Sequence, residues 1–163
     1  MPISIRIGRN SDADAVASLT AQLGYDVASS VVRERLAHIL ERTDQRLLIA
    51  DDAGQPVGWL HAAVAEFVEA EPFVVIAGLV VDRECRGRGI GRLLVHHAEQ
   101  WAREQRCSLV RLWSSAGRVS AHRFYEHLGY THVKTQHAFA KSLDPDAATA
   151  FKRLVPRIDA DAG

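Results

Sequence analysis

The sequence predicts an α/β protein, a central mixed β-sheet flanked by helices, and three observations carry that prediction. Strand-like and helix-like segments follow one another in the order β-α-α-β-β-β-α-β-α-β-β, neither strict βα repetition nor an all-β pattern. One apolar run, FVVIAGLVV at 73–81, reads as a central strand covered on both faces. The longest helical pattern follows it, with Ile90, Leu93, Leu94, His97, Ala98 and Trp101 at i, i+3, i+4 spacing.

The other elements follow from the same two periodicities. Ile3, Ile5 and Ile7 alternate with Ser4 and Arg6, a half-buried strand. Ser11 with Asp14 resembles a capping box ahead of Val16, Leu19 and Leu23, and Gly24 stands where that helix stops. A second helix is expected over 30–41, with Val32, Leu36, Ile39 and Leu40 on one face. RLLIA at 46–50, a turn at Asp51–Gly54 and a strand from Val57 to about Phe67 make a hairpin, broken by EFVEAEP before the apolar run. SLVRLW at 108–113 is a further strand. Ala121, Phe124, Tyr125 and Leu128 mark a short helix ended by Gly129. Two last strands, about 130–134 and 137–142, read as a hairpin. Asp144-Pro145 then starts a helix over 145–155, and the final DADAG is expected to be disordered.

A length of 163 residues suits one domain. The expected division is a domain over 3–143 followed by a C-terminal helix and tail over 144–163. Twenty basic and twenty acidic residues cancel, so no dominant basic field for nucleic acid exists. Cys85 and Cys107 are too few and too far apart for a metal knuckle or a disulfide framework. No stretch approaches the ~18 apolar residues of a membrane span. The N-terminus alternates and carries charge, a strand rather than a signal peptide. These features fit a cytoplasmic protein with reduced thiols.

The segment from Val80 to Leu94 is the most informative. It passes from buried strand to loop to helix N-terminus, where free N–H groups and the helix dipole favour an anion. Gly87, Gly89 and Gly91 let a ligand approach the main chain, and Arg86, Arg88 and Arg92 supply charge. A pyrophosphate is the natural guest; a purely structural turn is the alternative reading of the glycines. A Walker loop is excluded because Arg92-Leu93 follows Gly91, and a Rossmann fingerprint because Arg92 falls on its last glycine position.

Arg86-Gly87-Arg88-Gly89-Ile90-Gly91 resembles the R/Q-x-x-G-x-G/A signature of the GCN5-related N-acetyltransferases, the GNAT family. The element order over about 3–143 and the later segment Ala121, Tyr125, Gly129, Tyr130 fit the same family. The resemblance implies a GNAT acyl-CoA N-acyltransferase fold with acetyl-CoA as cosubstrate. It places the coenzyme pyrophosphate on Arg86, Gly87, Arg88, Gly89, Ile90, Gly91 and Arg92, and the pantetheine arm on Leu79, Val80 and Val81. It implies a sheet that splays at this strand, where Gly78 would assist a bulge.

The resemblance also gives Tyr125 the part of general acid toward the departing thiolate, which a phenol with an ordinary pKa of about 10 suits; packing beside Phe124 and Leu128 is the alternative. The strand 73–81 lacks the acid that many relatives use as base. Glu69 and Glu71, with Glu66, are the candidate bases, and His61 is a further one. Arg118 replaces an asparagine of some relatives, and either meets the coenzyme or caps the helix. No histidine pair has chelating spacing and no HExxH or Cys/His set occurs, so no metal is expected. The function implied is acetyl transfer to a primary amine of a small molecule or peptide. The alternative is a catalytically weak acyl-CoA sensor. A homodimer through the C-terminal helix is a further expectation.

Overall fold

The computed structural model describes residues 2–144. Its elements are β1 (Ser4–Ile7), a 3-10 turn (Asn10–Asp12), α1 (Ala13–Ala21), α2 (Ser29–Leu40), β2 (Gln45–Asp52), β3 (Gln55–Phe67), β4 (Ala70–Val81), a second 3-10 turn (Arg83–Cys85), α3 (Ile90–Glu104), β5 (Val110–Leu112) and α4 (Val119–His127). They fall into two compact units, and the chain passes from one to the other between Trp113 and Ser114.

The first unit holds a five-stranded mixed sheet whose spatial order is the sequence order, β1-β2-β3-β4-β5. The first four strands pair antiparallel, and β4 pairs with β5 in parallel. Period-two alternation gives each face its own helices. Leu47, Ile49, Trp59 and Val80 pack with Ala13, Val16, Ala17 and Leu19 of α1 and Val32 and Leu36 of α2. Leu48 and Leu60, cross-strand partners, point to the other face. There α3 presents the buried stripe Ile90, Leu94, Val95, Ala98 and Trp101, and Leu94 approaches Gly58.

The β2–β3 turn is the two residues Ala53 and Gly54, both left-handed at φ 51° and 91°. That is the pattern of a type I′ hairpin turn. Asp51 Oδ1 accepts from Gly54 N–H at 2.6 Å and ties the turn down. The EFVEAEP break narrows to Val68 and Glu69, because β4 begins at Ala70. The first helical segment is capped at Arg9, not Ser11: Asp12, its third residue, accepts the Arg9 N–H on Oδ2 at 2.7 Å.

The expected hairpin over 130–142 is absent; no strand occurs in that stretch. Val133, Phe139 and Leu143 are 80%, 94% and 91% exposed, so apolar burial supplies nothing to offset the ordering entropy of two short strands. The expected helix over 145–155 and the tail lie outside the described residues.

One ion cluster fastens β1 to the rest. Arg6 donates from both Nη atoms to Asp12 at 2.8 Å and from Nε to Asp51 at 2.9 Å. Asp12 is buried, and the Arg6 guanidinium holds its carboxyl below the usual carboxylate range. A depressed carboxylate stabilises the fold above its unfolded pKa, near 4, and that contribution disappears as pH falls through the folded value. Arg6→Met should therefore destabilise by about 3 kcal/mol, since it leaves the Asp12 charge buried and unpaired. Denaturant melts at pH 7 measure the loss, and Asp12→Asn should flatten the decline in stability between about pH 5 and pH 2.

Candidate active site

The site begins in β4. Pairing with β3 runs Gly58↔Val81 through His61↔Gly78, then resumes at Ala62↔Ile76, so Ala77 is an extra residue, a β-bulge. Pairing with β5 stops at Ile76↔Leu112, so among the described residues no strand pairs with the other edge of β4 from Ala77 to Val81. Asp82 N–H bonds to Val57 O at 2.8 Å. By alternation Val80 also addresses β3, and Leu79 and Val81 turn their backbone groups to the open edge. A side chain at Gly78 would displace Trp59: a Cβ would stand 2.8 Å from Trp59 Cη2.

The loop follows. Gly87 and Gly89 are both left-handed at φ 76°, while Arg88 between them keeps a negative φ. Such alternation turns successive N–H groups toward a common concavity. Cys85 N–H bonds to Asp82 O and Leu93 N–H to Gly89 O, at 2.9 and 3.1 Å. Between these two, the N–H groups of seven residues, Arg86 through Arg92, have no acceptor among the described residues. They lie at the N-terminus of α3, where the helix dipole adds positive potential. An anion with many oxygens fits that donor set.

Side chains from outside the loop hold it. Gln22, at the end of α1, donates Nε2–H to Asp82 Oδ2 at 3.1 Å and accepts Arg83 N–H on Oε1 at 2.9 Å. Asp82 in turn accepts Glu84 N–H at 2.8 Å. Arg88 Nη1 donates to Asp52 Oδ2 at 2.9 Å and approaches Cys85 Sγ at 3.8 Å. Arg86 Nε leans back on Val81 O at 3.4 Å. The sequence offered no signal for Gln22 or Asp52, because neither belongs to the loop motif and each reaches it only through the fold.

The second unit carries Tyr125. It sits on α4, half-buried, with its ring edge-on to Phe124 and Tyr130 at 5.0 and 5.7 Å. Gly129, left-handed at φ 92°, ends the helix, and Tyr130 N–H returns to Tyr125 O at 3.0 Å. Burial pushes the Tyr125 phenol above its ordinary value, and the charge of Arg118 partly opposes this. The phenol therefore stays protonated at neutral pH. Arg118 occupies the N-cap position of α4 without a side-chain capping bond.

The candidate bases are less well placed. Glu69 lies in the β3–β4 turn and Glu71 just after it, both exposed. Six residues of strand separate Glu71 from Ala77, about 20 Å at the usual rise. Glu66, also exposed, lies at the same end of β3. His61 does pair with Gly78, but its Nε2 shares a hydrogen bond with Gln45 Oε1 of β2 at 2.7 Å. Burial pushes its pKa below the ordinary histidine value. Among the described residues no three His, Cys, Asp or Glu side chains gather as a metal set.

Residues 14–130 match the acetyltransferase (GNAT) family, and the chain belongs to it. A 57-residue stretch is 42% identical to the uncharacterized N-acetyltransferase YhdJ of Bacillus subtilis, covering 34% of this chain and 40% of that protein. Over 151 residues the chain is 28% identical to an uncharacterized N-acetyltransferase of Chlorobaculum tepidum, covering 92% and 88%. In fold it is similar to the aminoglycoside N-acetyltransferase AAC(6')-Iy, solved with CoA (TM-score 0.78, 19% identity, 86% and 95% covered). The same enzyme with the bisubstrate analog CoA-S-monomethyl-acetylneamine gives 0.79 at 18%, with 87% and 99% covered.

Removing the Gln22 amide should loosen the start of the loop. Gln22→Ala is expected to raise hydrogen-exchange rates at Arg83 and Glu84 about tenfold, the equivalent of one hydrogen bond to a charged group. Exchange followed by mass spectrometry checks it, with α3 amides as the unchanged reference.

Proposed function

We propose that this protein transfers the acetyl group of acetyl-CoA to a primary amine of a small molecule or peptide. The observation that carries the reading is the run of seven unpaired N–H groups from Arg86 to Arg92 at the head of α3. Family membership supports it, as does likeness in fold to an N-acetyltransferase solved with CoA. In this reading the pyrophosphate takes the loop amides, with Arg86 and Arg92 as its counter-charges. The pantetheine arm takes the open-edge backbone of Leu79 and Val81, with Val80 between them. Residues 3–143 work as one catalytic domain of a cytoplasmic enzyme.

The chemistry is direct transfer. A neutral amine attacks the thioester carbonyl, whose oxygen is polarised by a β4 N–H at Leu79 or Val81. The C–N bond forms, the C–S bond breaks, and the Tyr125 phenol protonates the departing sulfur. The amine's surplus proton goes to solvent or to a base; Glu69 and Glu71 reach it only if the acceptor extends along the β3–β4 hairpin. Arg118 keeps the Tyr125 pKa from rising further.

Isothermal calorimetry with acetyl-CoA should show saturable binding, weakened at least about tenfold by Arg86→Glu. No detectable heat at millimolar coenzyme would defeat the proposal. Thiol release should then be screened over an aminoglycoside, a polyamine, an amino acid and a peptide N-terminus. On an accepted amine, Tyr125→Phe should lower kcat about a hundredfold with coenzyme affinity preserved. Because burial raises the phenol, the wild type should keep its acid beyond the pH at which an ordinary tyrosine ionises, and a pH profile of kcat checks it. Wild-type kcat in the Phe variant would remove Tyr125 from the mechanism.

A further inference from the structure

The loop motif holds three arginines, and the structure separates them. Among the described residues Arg88 alone of the three is ion-paired: its guanidinium meets Asp52 at 2.9 Å. Arg86 there makes one hydrogen bond, to the Val81 carbonyl, and Arg92 has no acidic partner. Arg88 also stands between two left-handed glycines, and a Cβ at Gly87 or Gly89 would meet nothing within 4 Å. At both glycines the side a Cβ would take is therefore open space. Glycine loses more conformational freedom on ordering than any other residue. A segment of this kind needs a restraint if its amides are to be held ready for an anion.

Asp52 is suited to provide one. It is the last residue of β2, immediately before the Ala53–Gly54 turn. Its neighbour Asp51 is fixed twice, by Gly54 N–H and by Arg6. The carboxylate of Asp52 therefore projects from a rigid hairpin, and it is less exposed than the arginine it holds, at 27% against 46%.

We propose that Asp52 is a positioning residue for the coenzyme loop and that Arg88 is a tether, not a phosphate ligand. The Asp52–Arg88 pair fixes the middle of the glycine-rich turn, so that the amides from Arg86 to Arg92 face the diphosphate before it arrives. This rests on the acetyl-CoA reading above. It assigns the phosphate charges to Arg86 and Arg92.

The two roles predict opposite signs for one substitution. If Arg88 is a tether, Asp52→Asn loosens the loop and weakens acetyl-CoA binding, about threefold for an exposed pair. Arg88→Gln should weaken it by a similar factor. The double variant should be no worse than either single one, since both break the same contact. Asp52→Glu should restore affinity to within about twofold of wild type. If Arg88 is instead a phosphate ligand held back by Asp52, Asp52→Asn frees it and binding tightens while Arg88→Gln weakens. Calorimetry with acetyl-CoA at low salt reads all four variants, and thermal melts should match the wild type within a degree or two.

Tighter or unchanged binding in Asp52→Asn overturns the tether, as do additive losses in the double variant. Failure of the wild type to bind acetyl-CoA overturns the coenzyme reading itself, and the tether with it. The two failures are thus distinguishable in a single set of titrations.

Discussion

A chain leaves consecutive amides unpaired only where water or a ligand serves them, because a dry, orphaned N–H costs as much as a lost hydrogen bond. The stretch between Cys85 and Leu93 meets that constraint at the head of α3: Arg86 through Gly89 and Arg92 are exposed, and Ile90 and Gly91 begin the one face that the helix buries. Everything nearby serves to keep those amides together and pointed outward. Gly87 and Gly89 take the left-handed backbone that other residues resist. Ile90 and Leu94 anchor α3 in the core, so the helix cannot turn its end away.

The sheet supplies the second half of the arrangement. From Val74 to Ile76, β4 is paired on both sides; beyond Ile76 its pairing with β5 ends, and a bulge at Ala77 changes the strand's course. The chain thus reaches the loop from a strand with one edge free. Gly78 makes this compatible with a dense core, because Trp59 lies over the place its side chain would take. The open edge and the anion loop are consecutive in sequence. An extended ligand with a charged group at one end can follow both without a break.

Much of this was legible in the sequence because it rests on local physics. The loop motif, the α3 stripe and the apolar β4 run are patterns of neighbours, and in α3 Ile90, Leu94, Ala98 and Trp101 are buried as their period implies while Leu93 is exposed. What escaped was set by contacts between distant residues. The first helical segment begins at Arg9, not Ser11, where Asp12, paired with Arg6, reaches back to the Arg9 N–H. The alternation over 130–142 implied strands, yet Val133 and Phe139 find no cover, and pattern without burial does not hold a strand. Gln22 and Asp52 lie 60 and 36 residues from the groups they hold, separations no local window spans. The base is unreadable for a different reason: its identity depends on an acceptor that the sequence does not describe.

The agreement between strand order and sequence order bears on how the molecule is made. No strand has to slip between two that are already joined. Each new one adds to the edge its predecessor leaves, and the β2–β3 and β3–β4 links are closed by two-residue turns. The longer links are β1 to β2, through α1 and α2, and β4 to β5, through α3. During synthesis, four strands can therefore assemble as the first eighty or so residues leave the ribosome, with the β1–β2 link the one large loop to close. The glycine-rich loop comes off the ribosome onto a sheet that is already waiting for it.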